Sequence, residues 1–209
     1  MKKLASILIS VVLCFAMSFN TLAAERSSTN DKELLFQQIQ EINSYLNQQA
    51  KPIELKEQTI NYNIPLSDGT VAKYSLSLTK KDSEVSPREI FNAVLGTWYF
   101  DSDVDLPLHG SISVRTTVNI THVPSGPNDL PRFTAYNGTV SAIPIQYTTV
   151  TGTQASTQAI YEQTWYETSG YVGFDISGIA ANVYFTQTIR IVDSVENYDK
   201  IECYINYDM

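Results

Sequence analysis

Three aspartates, Asp101, Asp103 and Asp105, alternate with Ser102 and Val104. On an extended strand this period of two puts all three carboxylates on one face, where they repel one another. A bound Ca²⁺ would relieve that repulsion. The spacing also mimics the start of a calcium-binding loop between two helices. That loop needs a glycine where this chain has Leu106 and a closing glutamate where it has Ile112, so the motif fails. The aspartates stand as a calcium candidate or as a solvated acidic strand end, and no other cofactor is implied. His109 and His122 are the two histidines, and neither has a His or Cys neighbour at metal-ligand spacing. His109 lies close to the aspartates, so a His–Asp pair is conceivable. No Gly-x-Ser-x-Gly elbow, phosphate-binding glycine loop or dinucleotide fingerprint is present. Glu162, Glu167 and Asp175 are acids of the type that hydrolyse glycosides, but their spacing does not define a pair.

The aromatics are the second chemical resource. Trp98-Tyr99-Phe100 and the run from Tyr161 to Tyr166, with Trp165 inside it, place rings on both faces of strands. One face of each strand must be core. The other can present a platform for sugar rings or peptide, because a flat ring joins apolar area to a polar edge. Trp98, Tyr99, Tyr161, Trp165 and Tyr166 are therefore the binding candidates. At least one of the two tryptophans is expected in the core.

The elements that would position these groups are mostly strands. Ile112, Val114, Thr116, Val118 and Ile120 alternate with Ser113, Arg115, Thr117 and Asn119, the pattern of a long strand with one buried side. Turn signals at 124–129, Asn137-Gly138, Thr151-Gly152, Ser169-Gly170 and 193–197 separate further strands near 132–136, 139–150, 154–167, 171–177, 181–192 and 199–207. The expected fold class is mainly β: an antiparallel β-sandwich or barrel-like domain, preceded by an N-terminal amphipathic helix and a β-hairpin. The helix is expected over 31–49, capped by Asn30, with Leu35, Ile39, Ile42 and Leu46 as its buried stripe. In the hairpin, Ser67-Asp68-Gly69 forms a three-residue loop ending in a left-handed glycine. Only that loop pairs Tyr62 with Tyr74 and Ile60 with Leu76, keeping the faces unmixed. Ser86-Pro87-Arg88-Glu89 starts a short helix through Leu95.

The chain opens with Lys2 and Lys3, an apolar run to Phe19 and small residues up to Ala24, the signature of a cleavable secretory signal peptide. The organisation reads as 1–24 signal peptide, 25–95 helix, hairpin and short helix, and 96–209 antiparallel β domain. The whole chain carries a formal charge of -8. Loss of Lys2 and Lys3 leaves 12 basic residues against 22 acidic ones, a charge of -10. Such a surface disfavours nucleic acid and anionic lipid. Cys14 departs with the signal, leaving Cys203 alone and the domain without an internal disulfide. No later apolar run is long enough to span a membrane, and no wall-anchoring sequence ends the chain.

The signal peptide, the Gly96-Thr97-Trp98 entry to a strand and the strand-rich remainder resemble small secreted proteins of Gram-positive bacteria that carry a β-sandwich domain of unknown function. That resemblance implies a fold and a compartment and transfers no active site. The expected function is a secreted, non-enzymatic extracellular binding or interaction domain, its ligand a glycan or a protein. Two alternatives are a secreted hydrolase of polysaccharide or peptide, and a pore-forming or membrane-active toxin using the Ser/Thr-rich strands around 146–166.

Overall fold

The computed structural model describes residues 30–81, 96–122, 131–145, 148–160, 165–191 and 200–209. The expected signal peptide, the short helix at 86–95, Tyr161 and Glu162 lie outside these residues. Helix α1 spans 30–49, and its stripe of Leu35, Ile39, Ile42 and Leu46 is buried as the helical period requires. Ten strands follow among the described residues: β1 (Ile53–Glu54), β2 (Gln58–Pro65), β3 (Val71–Lys80), β4 (Gly96–Leu106), β5 (Gly110–His122), β6 (Pro131–Pro144), β7 (Thr148–Ile160), β8 (Trp165–Ile176), β9 (Ile179–Ile191) and β10 (Lys200–Asp208).

They form two five-stranded antiparallel sheets. The first has the order β1-β10-β9-β8-β7, the second β2-β3-β4-β5-β6. The architecture is a β-sandwich rather than a closed barrel, because among the described residues no strand of one sheet pairs with a strand of the other. The side chains between the sheets form one core. Phe100, Val104, Ile112, Val114, Val118 and Ile120 come from the second sheet. Val172, Phe174, Val183, Phe185, Ile189 and Ile205 come from the first. The alternation read in β5 thus points Ile112, Val114 and Thr116 inward and Arg115 outward.

The hairpin has the expected register: Ile60 faces Leu76 and Tyr62 faces Tyr74. Leu66 N–H donates to the Thr70 carbonyl at 2.9 Å, and Gly69 takes φ 85°, which a side chain would resist. Asp68 accepts from the Thr70 amide at 2.8 Å and holds the turn.

α1 closes the flank where β2 and β10 lie. Glu41 accepts from the Ser67 amide at 2.8 Å, and Tyr45 meets Tyr62 edge-on with centroids 5.8 Å apart. The Asn43 side chain accepts from the Tyr207 amide at 2.9 Å and donates to the Tyr207 carbonyl. A side-chain amide here substitutes for a neighbouring strand on the open stretch of β10 beyond two-residue β1.

Three expected turns are instead strand interior. Asn137-Gly138, Thr151-Gly152 and Ser169-Gly170 lie within β6, β7 and β8. The glycines serve close approach rather than chain reversal. A Cβ on Gly138 would sit 2.2 Å from Thr157 Oγ1, and one on Gly170 would sit 1.8 Å from the Gln154 carbonyl oxygen. Gly152 follows a bulge where the β7–β8 register shifts.

Candidate functional site

The expected site residues separate when placed on this frame. β4 points Trp98, Phe100, Ser102 and Val104 inward and Tyr99, Asp101, Asp103 and Asp105 outward. Trp98 is 2% exposed, so it is core rather than platform. Tyr166 is also core, at 1% exposure, against Tyr136 at a centroid distance of 4.5 Å. Burial raises its phenol pKa. The reason is strand parity: β8 turns Tyr166, Thr168, Val172 and Phe174 toward the other sheet. Trp165 points the other way and is partly exposed, with its Nε1 buried and unpartnered among the described residues.

Tyr99 is half-buried beneath the Arg115 guanidinium, 5.1 Å from the ring centroid. The same guanidinium donates from Nε and a terminal nitrogen to the two oxygens of Asp101 at 2.6 and 2.8 Å. That pairing raises the Arg115 pKa and supplies Asp101 with the counter-charge the sequence left open. Asp101, Asp103 and Asp105 do not converge. Among the described residues no group of three or more His, Cys, Asp or Glu side chains is arranged to hold a metal ion. Strand spacing keeps the carboxylates in a row, whereas a calcium site needs them wrapped round one point.

His109 caps the β4–β5 turn, where its amide donates to the Leu106 carbonyl at 3.1 Å. Its ring is buried, and both ring nitrogens lack a partner among the described residues. Burial pushes its pKa down, opposed by the carboxylates of Asp31 on α1 and Asp68 on the β2–β3 turn. Those two acids, rather than the β4 aspartates, are the ones that act on it. Gln38 of α1 adds a second buried orphan, its Oε1, while its Nε2 donates to Asp68 at 2.7 Å. His122 is the last residue of β5. Glu167 lies on the outer face of β8, and Asp175 accepts from the Gly178 amide at 2.7 Å.

A buried polar chain, unannounced by any motif, crosses between the sheets. Thr157 and Thr168 hydroxyls are 2.7 Å apart, Thr168 and Thr116 2.6 Å, and Thr116 lies 2.5 Å from Gln187 Oε1. A hydroxyl has one proton and the amide oxygen can only accept. Thr116 therefore donates to Gln187 and accepts from Thr168. Gln187 Nε2 then donates to the Phe100 carbonyl at 3.3 Å and to Ser102 Oγ at 2.8 Å, and Ser102 meets the Tyr74 hydroxyl at 3.1 Å. Every member is partnered, so the network fixes the alignment of the sheets.

The outer face of the first sheet is where uncommitted aromatics gather. Tyr171 on β8 and Tyr184 on β9 are cross-strand partners with ring centroids 6.1 Å apart. Tyr184 is 48% exposed. It borders two adjoining depressions. One, of about 360 Å³, is lined by Gln154, Ser156, Ser169, Tyr171 and Thr186. The other, of about 530 Å³, runs between Phe36 and Lys32 of α1, Asn182 of β9 and Met209. Sequence reading missed Tyr171 and Tyr184 because neither stands in a run of aromatics as long as Trp98-Tyr99-Phe100 along the chain. The available signal was register: pairing Ile176 with Ile179 brings the two tyrosines side by side.

No family model and no curated protein matches this sequence. Among solved structures there is a distant likeness to the hypothetical protein lmo2686 from Listeria monocytogenes EGD-e. It has 12% identity, covers 71% of this chain and 100% of that chain, and gives a TM-score of 0.31. No helix among the described residues is long and apolar enough to cross a membrane.

Proposed function

We propose that this protein is a secreted, non-enzymatic binding domain that takes a neutral glycan on the outer face of its first sheet. The observation that carries the reading is the position of Tyr184, exposed beside Tyr171 and bordering both depressions. An exposed ring stacks on the apolar face of a sugar, while neighbouring hydroxyls and amides bond its hydroxyls. Gln154, Ser156, Ser169 and Thr186 supply that chemistry without a charged group among them. An acidic chain carrying -8 is poorly matched to a polyanion, which favours a neutral polymer. The signal-peptide pattern of residues 1–24 supports secretion. Affinity electrophoresis in gels containing neutral polysaccharides tests the reading. Retardation that Tyr184→Ala abolishes supports it; unretarded migration in every such gel, or turnover of the polymer, overturns it.

A further inference from the structure

The two depressions that meet at Tyr184 follow one another along β9. Ala180, Asn182, Tyr184 and Thr186 take the outward positions of that strand and alternate with buried Ala181, Val183 and Phe185. Tyr184 and Thr186 border one depression; Ala180, Asn182 and Tyr184 border the other. From Ala180 to Thr186 the strand advances roughly 20 Å, at about 3.3 Å per residue. A single pyranose ring cannot span that length, whereas a run of linked rings can. The two halves have different walls. Around Tyr171 the surface is made of hydroxyls and amides carried by strands. Beyond Tyr184 the wall is α1. Lys32 and Phe36 stand four residues apart, so they share the face of α1 that lines the depression. Phe36 lies just outside the buried stripe, next to Leu35, and is 41% exposed. Its ring has no polar edge to satisfy, so a stacked sugar face would remove apolar surface from water there. Lys32 and Glu33 are of opposite sign and add no net charge, and Asn182 supplies an amide.

We infer that the two depressions are successive subsites of one extended site, with Tyr184 shared between them and Phe36 as a second stacking ring. Its ligand is a linear neutral oligosaccharide lying along β9 rather than a single sugar. Resting on the glycan reading above, this adds the ligand's length and course. Continuity selects the occupant of the α1 side: a glycan stacked on Tyr184 that continues along β9 past Asn182 enters that depression. Once one unit is held at Tyr184, the next meets Phe36 as an intramolecular event, so each further contact multiplies the affinity.

Titration calorimetry with oligosaccharide ladders from cellulose, chitin, mannan and starch, each running from disaccharide to hexasaccharide, tests the inference. In the ladder that binds, the hexasaccharide should bind at least about tenfold tighter than the disaccharide. Phe36→Ala should weaken the hexasaccharide about fivefold and leave the disaccharide unchanged, whereas Tyr184→Ala should weaken both. The exchange for alanine suits an exposed helical position, so α1 should persist. Backbone amide shifts of the unmodified protein give a second readout: the hexasaccharide should move Phe36 and Asn182 as well as Tyr184, and the disaccharide Tyr184 without Phe36. Affinity independent of length, a hexasaccharide indifferent to Phe36→Ala, or unmoved Phe36 and Asn182 amides would each overturn the extended site while leaving glycan binding at Tyr184 standing. Failure of every ladder to bind would overturn the glycan reading and the extended site together.

Discussion

The two outer faces of this sandwich are built from the same materials and put them to opposite use. On the second sheet the outward ring of Tyr99, half-buried, lies under Arg115, and Arg115 is held by Asp101. The aromatic and the charges satisfy one another. On the first sheet Tyr171 and Tyr184 have each other and a border of hydroxyls and amides. An aromatic platform therefore needs more than a ring on an outward face. It needs neighbours that leave the ring accessible, as Tyr184 is at the border of its two depressions.

The largest expected effect comes from cutting the interior that holds both faces in alignment. Gln187→Leu removes the link from β9 of the first sheet to Thr116, Ser102 and the Phe100 carbonyl of the second. Leaving these buried groups unpartnered should cost about 3 kcal/mol, read as a shift in the urea midpoint. A variant as stable as the parent would show that the network is incidental. Tyr184→Ala next erases the asymmetry itself. It should weaken glycan affinity about tenfold while changing stability little, because the ring is already half exposed.

A third effect tests the orphaned histidine. Burial holds the His109 pKa below its ordinary 6.5, so the fold favours neutral imidazole. Its contribution is complete above that value and is lost as pH falls toward the lower folded-state pKa. Thermal unfolding should shift downward between about pH 7 and pH 5, and His109→Leu should flatten that slope. An unchanged slope would remove His109 as its cause. The smallest effect belongs to Arg115→Ala. An exposed pair of this kind contributes roughly 0.5 kcal/mol, so calorimetry should register little while Tyr99 becomes accessible to quenchers. If that variant gains glycan affinity, Arg115 is what separates the two faces.

The sequence carried local periodicity well and tertiary approach poorly. The α1 stripe, the hairpin register and the buried side of β5 followed from spacings of 3.6 and 2, which a sequence displays directly. Gly138 and Gly170 read as turns because glycine is the commonest turn residue. Their actual cause is a neighbouring strand that leaves no room for a Cβ. The site suffered from the same gap. Clustered aromatics such as Trp98 and Tyr166 drew attention, yet clustering along the chain measures β-strand and core preference. Platform formation depends on cross-strand pairing, which brought Tyr171 to Tyr184 from thirteen positions away. The three aspartates posed a repulsion problem whose partial answer, Arg115, lay on the next strand.

We propose that glycan binds the first sheet's outer face and not the second's. Titrating isotope-labelled protein with a soluble neutral oligosaccharide, and following backbone amide shifts, tests it most directly. Perturbations are expected at Gln154, Ser156, Ser169, Tyr171 and Tyr184, with Tyr99, Asp101 and Arg115 unmoved. Shifts confined to the β4–β5 face would contradict it.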